Sequence, residues 1–217
     1  MSRRIPIAVW ALLVLVVTVS AKADPVKVTA TPATVENQSF DPAKPPKQLE
    51  PGEDGLTECS FSCDPHFTYH VVGQSQKAGS CMTTIKIDSI DVTIGLAVKI
   101  WLPNNAPKKL RDHEEGHRQI CEEVYKGAEK AAREAGKALI GKTFEGTGDN
   151  CQKAEENALN AAVCAFCAAY GATTADAEGR IGDIYDDLTK HGTNGVSEKD
   201  AIKDAFKKYQ EEQKKKP

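Results

Sequence analysis

The sequence predicts an α+β fold in which antiparallel β-strands come first and a helical half follows. Two observations carry that expectation. Apolar and polar residues alternate between Thr57 and Pro103, and after Pro107 the apolar positions recur in steps of three and four. A third observation concerns the core: seven cysteines lie between Cys59 and Cys167, a set that fits about three disulfides with one thiol left over.

Residues 1–23 read as a removable leader. Arg3 and Arg4 precede the apolar run IAVWALLVLVVTV, and Ala21 and Ala23 are the small residues expected before a cleavage point. The run is short for a bilayer span, and no second apolar stretch of spanning length follows it. The chain is therefore expected to be secreted or periplasmic, with no membrane span after cleavage. Removing 23 residues from 217 leaves 194, enough for one domain with a real core. The leader holds three basic residues and no acid, so its loss takes the net charge from −3 to −6. A mildly acidic chain with 6% aromatic residues has no electrostatic footprint for nucleic acid.

Residues 24–56 are rich in Pro, Thr, Glu and Lys and end in PAKPPKQLEPGEDG, a composition that predicts a disordered or extended lead-in. The stretch HFTYHVV (66–72) is aromatic and β-branched. In TTIKIDSIDVTIGLAVKIWLP (83–103), Ile85 and Ile87 share one phase, and Ile90, Val92 and Ile94 share another. That pattern fits half-buried antiparallel strands with a bulge or turn near Asp88–Ser89. His66 and His70 fall in the first strand and are read as surface residues.

After Pro107, one stripe joins Leu110, His113, His117, Ile120, Val124, Ala128, Ala131 and Ala135, as expected for a single long helix. GKTFEGTGDN breaks it at 141–150, and a second helix begins near Asn150. A third begins after Thr173–Thr174, whose hydroxyls can cap it, and runs toward His191–Gly192. Residues 197–217 read as a charged C-terminal helix or solvated tail.

The chemistry sits on the first helix. His113-Glu114-x-x-His117 puts two imidazoles on one face, one turn apart, with a carboxylate directly after the first. Two neutral nitrogen donors suit Zn²⁺, and Glu114 can serve as general base toward a zinc-activated water. Both histidines lie on the inward stripe, whereas Arg111, Glu115, Arg118 and Glu122 lie off it. Mid-helix Gly116 answers a packing need, expected from a strand or substrate lying close by. A third ligand is open. His191 leads because it completes a three-histidine site, and Glu155, Glu156 and Asp187 are the acidic alternatives. Tyr185 is the candidate donor to a developing oxyanion, or else a core aromatic. Cys164-x-x-Cys167 lies in an alanine-rich helical stretch with no βαβ context, so it reads as structural.

Residues 57–196 resemble a bacterial family of predicted secreted zinc-dependent proteases. The resemblance rests on Cys81 leading into the strands, Leu102–Pro103, HEEGH at 113–117 and YDDLTKHGTNG at 185–195. It implies a zincin-like metalloprotease domain, a Zn²⁺ cofactor, a peptide or protein substrate, and His191 as third ligand. The expected function is an exported zinc-dependent peptidase. The rival expectation is a non-catalytic zinc-binding or disulfide-stapled interaction module.

Overall fold

The computed structural model describes residues 24–49, 53–77 and 79–215, and the leader expected at 1–23 lies outside them. The strands are β1 (Val26–Ala30), β2 (Thr34–Phe40), β3 (Leu56–Lys77), β4 (Ser80–Pro103) and β5 (Thr143–Gly148). The helices are α1 (Lys108–Lys126), α2 (Ala128–Leu139), α3 (Cys151–Thr173), α4 (Ala175–Thr189) and α5 (Glu198–Lys215).

β4 is the spine of the sheet. β3 follows one of its edges antiparallel along the whole length, from Leu56 opposite Trp101 to Lys77 opposite Ser80. The other edge is shared in series. β5 pairs antiparallel with Cys81–Lys86, β1 runs parallel to Ile90–Ile94, and β2 runs parallel to Ala97–Pro103. The expected antiparallel architecture is thus overturned: β1 and β2 lie parallel to β4 and the sheet is mixed. Both parallel strands come from the lead-in, which was expected to be disordered or extended. They bury almost no side chain except Val26, at 0% exposure, so backbone hydrogen bonds to the long free edge of β4 hold them.

The phase break in β4 is a bulge. Thr68 pairs with Ser89 and Tyr69 with Ile87, which leaves Asp88 as the extra residue. Because of it, Ile85 and Ile87 before the bulge share one face with Ile90, Val92, Ile94, Leu96, Val98 and Ile100 after it, all buried. Ala128, Ala132 and Ala135 of α2 and Ala158, Ala162, Phe166 and Tyr170 of α3 cover that face. Small alanines let the helix backbones approach the isoleucines closely. Each buried Ile or Val side chain contributes about 1.5–3 kcal/mol relative to exposure.

The apolar stripe expected as one helix is divided at Gly127 into α1 and α2. Of the charged helix or solvated tail expected at the C-terminal end, the helix is present as α5, and it is packed rather than solvated all round. Ala201 and Ala205 of α5 pack with Ile120, Ile181, Ile184 and Tyr185, and Glu212 pairs with Arg180 at 2.7 Å. By composition, Cys151–Thr189 is long and apolar enough to cross a bilayer. Here it bends at Thr174 and buries its Ala154, Ala158, Ala162, Phe166 and Tyr170 face.

Two disulfides tie layers together. Cys59–Cys121 joins β3 to α1, and Cys81–Cys151 joins the start of β4 to the start of α3. Each closes a loop of more than sixty residues, which restricts the unfolded chain.

Replacing Ile94 with Ala, from the helix-covered face of β4, is expected to cost about 2–5 kcal/mol. Replacing its neighbour Thr93 with Ala, on the solvent face, is expected to cost under about 0.5 kcal/mol. Urea midpoints at unchanged slope check both, and equal losses would contradict the one-sided core.

Candidate metal centre

α1 enters the site through its buried face, made by His113, Glu114, Gly116, Ile120 and Cys121. α4 crosses that face and brings Tyr185, Asp186 and Thr189 against it. Asp186 Oδ1 lies 3.1 Å from His113 Nε2 and 2.9 Å from His117 Nε2. The two imidazole nitrogens and one carboxylate oxygen all fall within 4.8 Å of one another. The rings sit nearly perpendicular, centroids 4.9 Å apart, so their Nε2 atoms converge from two directions.

Tyr185 sets that geometry. Its side chain is 0% exposed, its ring stacks on His113 at 5.1 Å, and it meets His117 edge-on at 5.0 Å. Its hydroxyl donates to the His113 carbonyl at 3.3 Å. Of the two readings of Tyr185, oxyanion donor or core aromatic, its position fits the core aromatic: the hydroxyl is engaged with backbone, and burial pushes the phenol up from its ordinary pKa. The packing need of Gly116 is met by Tyr185 rather than by a strand or substrate. A side chain at 116 would overlap the Tyr185 hydroxyl.

The group that lies nearest both imidazoles is Asp186, with the expected third donor His191 farther out. α4 ends at Thr189, and Lys190, His191 and Gly192 follow with φ of 52°, 50° and 68°. This left-handed run turns His191 out to 80% side-chain exposure, with Nδ1 3.8 Å from Asp186 Oδ1. His191 stands at the rim of the same cleft, beyond bonding distance of that oxygen. Gly192 allows the chain to fold back here, since a Cβ would come within 2.9 Å of His113 Cβ. The acidic alternatives lie elsewhere. Glu155 accepts from Tyr69 at 2.9 Å, Glu156 pairs with Lys153 on the surface, and Asp187 is exposed on α4.

Asp186 lies within the YDDLTKHGTNG segment on which the resemblance rests, where His191 rather than Asp186 is singled out as the donor. Its signal is helical phase: it lies four residues after Gly182, which abuts His117, and three before buried Thr189. Burial pushes the Asp186 carboxyl up, but hydrogen bonds and charge from His113 and His117 outweigh it and hold the group well below the usual carboxylate range. For His117, burial works against the charged form, and Asp186, Glu114 and Glu178 together raise its pKa. Glu178 is a second residue that sequence reasoning missed. Its carboxyl is pushed up by burial and held down in part by His117.

Glu114 is 4% exposed, and Thr57 at the start of β3 donates to its Oε2 at 2.8 Å. Its pKa is raised by burial, with His117, Thr57 and His113 pulling the other way. Glu114, the converging trio, His191, Glu178 and the first residues of β3 line one cleft of about 510 Å³. A second convergent set, Cys59, Cys121 and Glu178, has its sulfurs joined in a disulfide and lacks the thiolates a metal would need.

The donor set fits zinc. Two imidazoles and one carboxylate, mounted on two packed helices, are donors that could hold such an ion with a further coordination position left open. Thr189 Oγ1 lies 3.5 Å from His113 Nδ1, at the outer limit of a hydrogen bond that would orient the ring.

Comparison with family models, curated proteins and solved structures finds no match for this chain.

Asp186→Ala is expected to weaken zinc affinity by about 100-fold or more, and His191→Ala by under about 10-fold. Competition with a fluorescent zinc chelator measures both. The reverse order would make His191 the third ligand.

Proposed function

We propose that this chain is an exported zinc-dependent peptidase that hydrolyses peptide bonds in its cleft, with His113, His117 and Asp186 as zinc ligands. One observation carries the reading: the buried Glu114 carboxyl opens on the same cleft as the two imidazoles and Asp186, next in sequence to His113. A helix that used its histidines only for packing has no call for a buried, poorly compensated carboxyl at that position.

When bound, zinc supplies Lewis acidity that polarises a peptide carbonyl and makes water a better nucleophile. The remaining work falls to this chain's residues. Glu114 accepts a proton from the attacking water and passes it to the departing amine nitrogen. Burial raises its pKa, which makes it a stronger base than an exposed carboxylate. Thr57 holds Oε2, and Gly55 lies against Oε1, so the carboxyl has one orientation in which to work. Asp186 keeps the charged form and so remains a donor across the neutral range. With Tyr185 engaged on His113, the rim residues left to contact substrate include His191 and Thr193.

β3 forms the cleft wall at Leu56 and Thr57, and its outer edge has no strand beside it among the described residues. An extended peptide can pair with that edge and lie across the site. Two disulfides support an oxidising compartment, hence a periplasmic or secreted location.

Glu114→Gln is expected to keep full zinc stoichiometry and lose about 10²–10⁴-fold in peptide or casein cleavage. Equal rates in the two zinc-loaded proteins, or no cleavage by either, would overturn the assignment.

A further inference from the structure

Three cysteines stand outside both disulfides: Cys63, Cys164 and Cys167. Cys63 is on the helix-facing side of β3, opposite Ile94, and Cys167 is near the C-terminal end of α3. Both are partly buried against the main core cluster. Their Sγ atoms lie 2.7 Å apart, closer than unbonded sulfurs normally sit and roughly 0.6 Å beyond a disulfide bond. Cys164, one turn earlier on α3, is exposed.

We propose that Cys63 and Cys167 are joined by a third disulfide in the mature protein, with Cys164 left as its single thiol.

Four observations support it. The pair is held by a strand and a helix already packed on one core cluster, with the two sulfurs already in contact. Two other cysteine pairs of this chain are already bridged, so the chain is matured where thiols are oxidised. The rival bridge, Cys164–Cys167, would draw Cys167 away from the sulfur it already touches and toward solvent. Burial and the neighbouring Cys167 push the Cys63 thiol up to about 12, so Cys63 is a poor first nucleophile and is suited to closing the bond second.

The oxidant is a protein or small-molecule disulfide. The Cys167 thiolate displaces one of its sulfurs and forms a mixed disulfide, releasing the first thiol. Cys63 then gives up its proton and displaces the second half as a thiol. Two S–H bonds are lost, one S–S bond forms, and the oxidant leaves as two thiols.

The bridge spans 104 positions of sequence, a long loop whose closure restricts the unfolded chain strongly. It also bolts the second end of α3. Cys151 fastens the first end to β4, Cys167 would fasten the other to β3, and α4 with Asp186 follows directly at Thr174.

The test is thiol mapping of the full mature chain purified from an oxidising compartment. The protein is unfolded without reductant in the presence of iodoacetamide, digested and read by mass spectrometry. The expected result is alkylation at Cys164 alone and a linked peptide pair containing Cys63 and Cys167. In Cys164→Ser, no cysteine should be alkylated. Alkylated Cys63 and Cys167, or Cys164 found in a bridge, would overturn the proposal.

Discussion

Tyr185 packs into the space that Gly116 leaves on α1, and the convergence of His113, His117 and Asp186 is built around that contact. A Cβ at 116 would overlap the Tyr185 hydroxyl and ring, so the ring that packs beside both imidazoles would have to shift. The same tyrosine stacks on His113 and meets His117 edge-on, so one buried ring sets the crossing of two helices and the angle between two donors. Aromatic contacts of this kind add about 0.5–1.5 kcal/mol beyond their burial. Their larger effect here is positional, since donor atoms a fraction of an ångström out of place bind a metal poorly.

The rest of the fold supports that crossing from both sides. Behind α1, the Cys59–Cys121 disulfide and the Leu96, Val98 and Ile100 stretch of β4 fix the helix on the sheet. Behind α4, Ala201 and Ala205 of α5 close the cluster that contains Tyr185. β3 begins at the cleft, so Thr57 reaches Glu114 directly. A sheet covered on one face leaves α1 packed between the sheet and α4, with the cleft beside the first residues of β3.

Local pattern made much of this legible. Alternation located β4, and its phase break near Asp88 is the bulge, because side-chain direction in a strand follows sequence position alone. The helical stripe put His113 and His117 inward for the same reason. What escaped depends on tertiary contact. β1 and β2 bury almost nothing, so their parallel pairing leaves no apolar pattern to read. Asp186 and Asp187 differ by about 100° around α4, and only the crossing on α1 decides which one meets the histidines. His191 was read as the helix C-terminus before its glycine, whereas α4 ends at Thr189 and left-handed residues from Lys190 onward turn His191 to the rim. Tyr185 occupies a plausible oxyanion position in sequence, and only packing reveals that its hydroxyl is bonded to His113.

The central claim is a metal centre made from His113, His117 and Asp186. Zinc-edge X-ray absorption on the purified, zinc-loaded protein tests it most directly. The account predicts two imidazole nitrogens and a carboxylate oxygen from the protein, with no sulfur in the coordination shell. A spectrum requiring three imidazoles or any thiolate, or a protein that retains no zinc, would contradict it.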